Sequence, residues 1–277
     1  MDKATILGVF NFVSFHLCKT LLNHGIEVYG VSIGDMEQIS FHEEKRLEIG
    51  RNANFIETSL EKLTSEAGIS DSKQTLIFPV YDFYMLNHDR TLLNDYVIGT
   101  LQEYINKNKA ELDIMVILPM QFMNYEKKSP VHRLIRQVKQ KSVPVQAVYL
   151  PTIYGPWQPS VFLFQQAIMS TMQKGKLSGA EREWRGDALF VDDAIETMIE
   201  LMETGNPGEY LLESGQDNYW RMCADYLNIG QNHIEQAGKP QQTNRHIVRT
   251  PVKKVTALAD SFSQQIGHTR LFYQNQS

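Results

Sequence analysis

The 277-residue sequence has little of what marks disulfide-rich, metal-binding or membrane proteins. Its two cysteines, Cys18 and Cys223, are far apart in the chain, which argues against a disulfide framework and favours buried thiols in a reducing compartment. No apolar run is long enough to span a bilayer, and the first residues lack the basic and apolar pattern of a secretory signal. We therefore expect a cytoplasmic protein with no membrane segment.

An excess of positive charge is also lacking. The formal net charge is −5, with 27 Lys and Arg against 32 Asp and Glu. Proteins that bind nucleic acid usually carry a strongly basic face, so nucleic acid is not an expected partner. No group of His, Cys, Asp and Glu has the spacing of metal ligands, and no metal is expected.

What the sequence does contain, through its first half, is an alternation of short apolar runs and helical patterns. The runs are dense in Val, Ile, Leu and Phe, which is typical of strands covered on both faces. They lie at 4–7, 27–32, 53–57, 75–79, 113–118 and 145–150, and the helical patterns lie at 12–23, 92–108 and 130–141. Strands separated by helices indicate right-handed βαβ crossovers, so we predict an α/β fold with a doubly wound, mostly parallel, Rossmann-like sheet.

The pattern changes after Pro151, where three prolines and a glycine lie within nine residues. Helical patterns follow at 161–173, 192–203 and 219–226, a strand is expected at 209–213, and 246–267 is compatible with a docking helix. We therefore predict two parts. Residues 1–150 form a Rossmann-like nucleotide-binding-type domain, and residues 151–277 form a smaller α+β substrate-type lobe with a polar tail; some elements interleave between the two.

Four stretches carry a resemblance to a known family. They are the opening turn with the helix and strand after it (6–32), VIGTLQEYI (97–105), LPTIYGPWQP (150–159) and FVDDAIETMIELME (190–203). In this order and spacing, over roughly the first 215 residues, they resemble the extended short-chain dehydrogenases/reductases, the NAD-dependent nucleotide-sugar epimerases and dehydratases. The resemblance implies a domain that binds a nicotinamide cofactor and a lobe that binds a nucleotide sugar.

The turn after the first strand keeps only part of the glycine motif that the resemblance implies. Its three glycine positions hold Gly8, Asn11 and Ser14. Asn tolerates a positive φ, so the loop can keep its shape, but its side chain projects toward the place of a phosphate oxygen. Ser14 is small enough for close packing and can donate its hydroxyl. Two interpretations remain open: a weakened pyrophosphate site, or a βα turn that needs only Gly8.

Other cofactor contacts are altered as well. The acidic residue that usually ends the second strand and binds the adenosine ribose is replaced by Ser32, with Asp35 three residues later. No Arg or Lys lies between residues 32 and 40, which disfavours NADP. Bulky Val80 and Tyr81 stand where the resemblance implies small residues beside the cofactor. The sequence predicts weak NAD binding at most, and no other cofactor.

The catalytic pair that the resemblance implies is a Tyr with a Lys four residues on, whose charge lowers the pKa of the phenol. No Tyr in this sequence has a Lys at that spacing. The nearest candidates are Tyr125 and Lys128, three residues apart. Alignment of 129–140 with the helix of the family places Val131 and Ile135 at the Tyr and Lys positions.

The Ser or Thr that polarises the substrate carbonyl is replaced too, by Met120 or Gln121. Two hypotheses follow. The first is a catalytically impaired or inactive epimerase/dehydratase-like protein that acts by binding a nucleotide-type ligand or a protein partner. The second is an active NAD-dependent nucleotide-sugar epimerase, dehydratase or reductase with a non-standard acid and base, for which Tyr125 and Lys128 are the candidates.

Three residues of the second lobe are ligand candidates. Tyr154 belongs to the Tyr-Gly-Pro loop that the resemblance places beside the nicotinamide and the substrate. Arg182 and Arg185 lie in a segment similar to one that contacts a nucleotide diphosphate, and guanidinium groups suit such a clamp, although charged loop residues are usually just solvated. The resemblance also implies a homodimer through helices 92–108 and 130–141; burial within the monomer is the alternative.

Two further pairs of polar residues have simpler explanations. His16 and Asp82 can be imagined as an acid and base, but histidines on helices are more often structural. Asp192 and Asp193 are adjacent on a helix and point about 100° apart, so they do not converge on one proton. We expect them to cap the helix and to interact with its dipole.

Overall fold

The computed structural model describes residues 1–34, 39–65, 72–92, 94–123, 133, 135–137, 140, 142–172, 175–178, 180–234 and 246–273. Its strands are β1 (Lys3–Leu7), β2 (Glu27–Ser32), β3 (Phe55–Ser59), β4 (Gln74–Pro79), β5 (Leu112–Pro119), β6 (Val145–Leu150), β7 (Thr152–Tyr154), β8 (Ala188–Phe190), β9 (Gly208–Glu213) and β10 (Ile247–Pro251). Eight of them form one sheet in the order β10-β9-β6-β5-β4-β1-β2-β3, and β7 pairs with β8. Every pairing is parallel, as predicted.

The helices cover both faces of the sheet. They are α1 (Phe12–Asn23), α2 (His42–Ile49), α3 (Leu60–Ser65), α4 (Val80–Met85), α5 (Asp89–Leu92), α6 (Asp95–Asn108), α7 (Leu163–Thr171), α8 (Val191–Thr204), α9 (Tyr219–Tyr226), α10 (Gln231–Ile234) and α11 (Leu258–Tyr273). One apolar layer includes Phe15 of α1 and Ile199 of α8, and the other includes Leu101 and Ile105 of α6. Burial on both faces explains why the strands read as continuous apolar runs.

In the first half, α1, β2 and β6 match the prediction exactly, and the strands predicted at 4–7, 53–57, 75–79 and 113–118 are found within two residues at each end. The third strand starts at Phe55 because a turn centred on Asn52 precedes it: Asn54 N donates to Asn52 Oδ1 at 2.9 Å. Helix α6 begins at Asp95, later than predicted, because the side chain of Asn94 caps it by accepting from Val97 N at 2.9 Å. The predicted helix 130–141 lies mostly outside the described residues.

The second half departs from prediction at its end. Within 246–267, a range compatible with a docking helix, residues Ile247–Pro251 instead form β10, which pairs with β9 from Ile247↔Glu209 to Pro251↔Glu213. The docking helix begins only at Leu258. Strands β9 and β10 therefore belong to the same sheet as the strands of the first 150 residues. The two-part division at residue 150 stays a prediction. Among the described helices, none is long and apolar enough to cross a membrane.

The chain crosses over between β1 and β4, which lie side by side although β2 and β3 come between them in sequence. Chain order reverses direction here, and such a switch point leaves a crevice at the carboxyl ends of the strands, where ligands bind in doubly wound folds. Gly8, with φ +60°, makes the turn from β1, and its N–H donates to Val31 O at 2.7 Å.

We predict that Gly8→Ala destabilises the protein more than Gly25→Ala. Both glycines have positive φ, which costs an alanine about 1 kcal/mol or somewhat more. A Cβ on Gly25 meets nothing within 4 Å, whereas one on Gly8 would lie 2.6 Å from the Phe83 ring. Urea unfolding should show a loss of about 1 kcal/mol for the Gly25 variant and at least about 2 kcal/mol for the Gly8 variant. Equal losses would contradict the close packing of Phe83.

Candidate functional site

The N-terminus of α1, next to the carboxyl end of β4, holds a carboxylate that belongs to the chain itself. Val13 N donates to Asp82 Oδ1 at 2.9 Å, and Ser14 donates to Asp82 Oδ2 through its N–H at 2.9 Å and its hydroxyl at 2.7 Å. Asp82 lies in α4 and is 2% exposed. The free N–H groups and the dipole of a helix N-terminus favour an anion, and dinucleotide-binding folds place the pyrophosphate there. In this protein the Asp82 carboxylate accepts from two N–H groups of that first turn.

Lys45 brings a buried positive charge to the same turn. Its Nζ donates to Phe10 O at 2.9 Å, and the residue is 2% exposed. The ammonium lies within 6 Å of the ring centroids of Phe15 and Trp157, at 5.8 and 5.7 Å. Burial lowers the pKa of Lys45 to about 8, and the negative charge of Asp82 opposes that shift.

Burial raises the pKa of Asp82, while the hydrogen bonds from Ser14 and Val13 and the charge of Lys45 oppose the shift. The two opposite charges act on each other through space, while the direct hydrogen bonds of Asp82 come from Val13 and Ser14 and that of Lys45 goes to Phe10 O.

Aromatic side chains occupy the space in front of β1. The ring of Phe83 packs directly on Gly8. Val80 and Tyr81, predicted from the sequence to lie beside the cofactor, are fully buried. The Tyr81 hydroxyl accepts a hydrogen bond from Ile153 N at 3.0 Å. The residues after β4 thus pack against the turn that a dinucleotide would need.

The residues predicted to bind the cofactor have other roles in the structure. Asn11 has φ −70° and ψ 169°, so the prediction that it could keep the loop in a positive-φ shape is wrong, and Gly8 alone makes the bend. The hydroxyl of Ser14 does donate, but to Asp82. Ser32 ends β2 and pairs in register with Ser59 of β3. Asp35 lies outside the described residues.

The catalytic candidates Tyr125 and Lys128 also lie outside the described residues. Met120, at the position of the substrate-polarising Ser or Thr, is buried at the start of a 3₁₀ turn. Gln121 donates from Nε2 to Arg182 O at 2.5 Å. Ile135, at the position of the catalytic Lys, is buried in the apolar layer that contains α6.

The three ligand candidates of the second lobe are held by contacts within the protein. Tyr154 is fully buried, its hydroxyl hydrogen-bonds with Ser261 Oγ at 3.0 Å, and burial raises its pKa. Arg182 donates to Tyr84 O at 2.8 Å. Arg185 is 5% exposed and donates to the backbone carbonyls of His233, at 2.5 Å, and Ala180, at 3.2 Å. The structure thus places Tyr154 in the core and engages both arginines with backbone oxygens.

The remaining polar pairs are structural. His16 does not pair with Asp82: its Nε2 lies 2.9 Å from Pro156 O and its Nδ1 lies 3.3 Å from Asp192 Oδ1. Phe190 holds the N-cap position of α8, so the prediction that Asp192 and Asp193 cap this helix is wrong, although both lie in its first turn. Asp193 instead accepts from Thr256 N and Oγ1, both at 2.7 Å, and anchors the segment before α11.

Two cavities of about 430 Å³ each open on the carboxyl side of the sheet. The first, called here the β9–β10 cavity, is lined by the end of β9 and the loop after it, by Arg249 of β10, by Gly186 and Asp187 just before β8, and by Met120 and Trp184. The second, called the α4–α7 cavity, is lined by residues that include Met85, Gln166, Arg182 and Glu183. Within the described residues, no group of three or more His, Cys, Asp or Glu side chains could hold a metal ion.

Sequence reasoning missed the pair of Asp82 and Lys45. A signal for Asp82 was available, since it is the only charged residue in the apolar run from 74 to 86. A charge in such a run is buried and needs a partner. Lys45 gave no signal, because it lies among other charged residues in HEEKRLEI.

Comparisons with known proteins agree with this fold. No family model matches the sequence, and no curated protein matches it. Among solved structures, UDP-glucuronic acid 4-epimerase from Bacillus cereus, in complex with UDP-glucuronic acid and NAD, matches with a TM-score of 0.68 at 16% identity, covering 98% of this chain and 100% of the other.

A dTDP-glucose 4,6-dehydratase from Bacillus anthracis, in complex with NAD, matches with a TM-score of 0.61 at 13% identity, covering 99% and 97%. A dTDP-glucose 4,6-dehydratase from Streptomyces venezuelae, with NAD bound, gives 0.64 at 12%, covering 98% of each chain. The chain therefore has the fold of the extended short-chain dehydrogenases/reductases, as the sequence resemblance indicated.

We predict that Asp82 and Lys45 stabilise the fold as a coupled pair. Asp82→Asn leaves the Lys45 ammonium buried without its counter-charge, and Lys45→Met leaves the carboxylate likewise. Each single variant should lose about 3 kcal/mol of unfolding free energy, and the double variant should lose at least about 1 kcal/mol less than the sum. Denaturant unfolding of all four proteins measures this, and strictly additive losses would show that the two charges are not coupled.

The carboxyl group of Glu183 gives a pH prediction. It is buried and accepts from Leu163 N at 3.0 Å, and burial raises its pKa to about 7, opposed by that hydrogen bond and by Arg185. A raised pKa in the folded state means that stability is full below about pH 4.5 and declines as the pH rises through 7. Relative to Glu183→Gln, the wild type should lose about 3 kcal/mol between pH 4 and 8. Parallel stability profiles for the two proteins would refute the raised pKa.

Proposed function

We propose that this protein is a non-catalytic binding protein with the fold of extended short-chain dehydrogenases/reductases, in which Asp82 replaces the pyrophosphate of a dinucleotide. The observation that carries the proposal is the set of three hydrogen bonds from the first turn of α1 to the Asp82 carboxylate. An anion already bound within the molecule competes with any phosphate for the same N–H groups.

The cost of displacing Asp82 by a pyrophosphate supports this proposal. A pyrophosphate at this turn would have to expel Asp82, which then loses its hydrogen bonds while it stays close to a second anion. The Phe83 ring would also have to leave Gly8. A buried group that loses its hydrogen bonds typically costs about 1–3 kcal/mol, and more if it is charged, which offsets much of the binding energy of a millimolar ligand. The residues present do not fit the cofactor.

The missing proton-transfer groups support the same proposal. A thioether at Met120 and an alkyl group at Ile135 cannot move protons, and both side chains are buried. The competing hypothesis is an active NAD-dependent enzyme that uses Tyr125 and Lys128. The observation in its favour is that solved proteins of this fold are described as complexes with NAD. Cofactor binding separates the two hypotheses.

The proposed role is recognition of a small ligand or of a protein partner in the cytoplasm, where Cys18 and Cys223, both buried free thiols, would stay reduced. A clamp of Arg182 and Arg185 on a nucleotide sugar would need both guanidinium groups to leave the carbonyls to which they donate. This makes a nucleotide-sugar ligand the less favoured form of the role. A homodimer through α6 and the segment 130–141 remains part of the proposal.

We predict that NAD, NADH, NADP and NADPH at about 1 mM leave the thermal unfolding of this protein unchanged. A cofactor with micromolar affinity would add about 4 kcal/mol of stability at that concentration. UDP-glucuronic acid 4-epimerase from Bacillus cereus, whose structure is described as a complex with NAD, serves as the positive control.

Stabilisation of this protein by any of the four cofactors would overturn the proposal. In that case Tyr125→Phe and Lys128→Met become the decisive variants. Loss of turnover with retained cofactor binding would then establish the enzyme hypothesis.

A further inference from the structure

The β9–β10 cavity lies beyond the carboxyl ends of two strands that come from the second half of the chain. Its wall includes Leu211–Glu213 at the end of β9, Arg249 of β10 and the loop 215–218. Crevices at this edge of a parallel sheet are where doubly wound proteins bind ligands. Its volume of about 430 Å³ is within the range of small-molecule sites.

The charges that line this cavity are mostly negative. Asp187, Glu213 and Asp217 contribute three carboxylates, and Arg249 is the one Lys or Arg among its lining residues. That arginine is already paired, because its Nε and Nη2 lie 2.8 and 2.6 Å from Glu213 Oε2. Asp187 accepts from Ser214 N and Oγ, both at 2.7 Å. Burial raises the pKa of Asp187, and the charge of Glu213 adds to that shift. The cavity therefore keeps an excess of negative charge.

An aromatic ring and unengaged polar side chains complete the lining. Trp184 contributes its indole, which packs on Gly186. The side chains of Gln216, Asp217 and Asn218 line the mouth, and none of them hydrogen-bonds to the part of the chain that the structure describes. An unpaired carboxylate and an indole ring that line the same cavity are a combination that binds organic cations, since the ring attracts the cation and the carboxylate pairs with it.

We propose that the β9–β10 cavity binds an organic cation carrying an ammonium or guanidinium group, held between Trp184 and Asp217. This inference rests on the proposed binding role and names its ligand class. A nucleoside diphosphate would meet the carboxylates of Asp187 and Asp217 with no unpaired Lys or Arg among the lining residues, and would be repelled. A bare metal ion does not suit the site either, because no metal-ligating group forms within the described residues.

The test is isothermal titration of the whole protein with L-arginine, putrescine and choline as probes, at low salt and neutral pH. At least one probe should bind saturably with a Kd in the millimolar range or below. Asp217→Asn should weaken that binding at least about 3-fold and Trp184→Leu about 5- to 30-fold. Asp260→Asn, on the exposed surface of α11, is the matched control and should bind as the wild type does.

Asp217 is exposed, so its substitution leaves the fold intact and keeps the test decisive even if the Trp184 variant misfolds. Three results would overturn the inference: no probe binds at about 10 mM, binding is the same in the Asp217 variant, or glucose or UDP-glucose binds and the cations do not. The outcome is separate from the NAD experiment. A protein that binds neither NAD nor a cation loses this inference alone, whereas one that binds NAD loses the proposed function.

Discussion

The hydrogen bonds between the Asp82 carboxylate and the first turn of α1 connect three parts of the structure. They join the segment after β4 to the N-terminus of α1. Lys45 of α2 adds a hydrogen bond to Phe10 O in the turn after β1. The first N–H groups of any helix need an acceptor from outside the helix. A dinucleotide supplies it in a cofactor-dependent protein of this fold. Here Asp82 of the chain itself accepts from two of these N–H groups, those of Val13 and Ser14.

Much of the fold could be predicted from the sequence because strands buried on both faces leave a strong apolar signal. Elements bounded by clear turns, such as α1 after Gly8 and β6 before Pro151, were predicted to the residue. β10 was not, since a five-residue run such as Ile247–Pro251 becomes a strand only when β9 offers an edge. That pairing partner lies 38 residues away in register and leaves no local trace.

The candidate site could be predicted only in part. The sequence alone shows that no Tyr has a Lys four residues on, which is the observation behind the catalytic hypotheses. The contact between Asp82 and the first turn of α1 was not predictable, because Asp82 and Ser14 are 68 residues apart and meet only in the folded chain. The burial of Arg185 and its hydrogen bonds to backbone carbonyls were likewise not predictable, since its neighbours in sequence are typical of an exposed loop.

Strand β9 pairs with β6 but follows it by more than fifty residues in the sequence, and this has a consequence for the nascent chain. During synthesis the first 150 residues emerge with β6 as the outer edge of the growing sheet, although all six residues of that strand are buried in the finished protein. A bare apolar edge readily pairs with another chain. Until residues 208–213 leave the ribosome and pair with β6, this edge stays open to association with other chains.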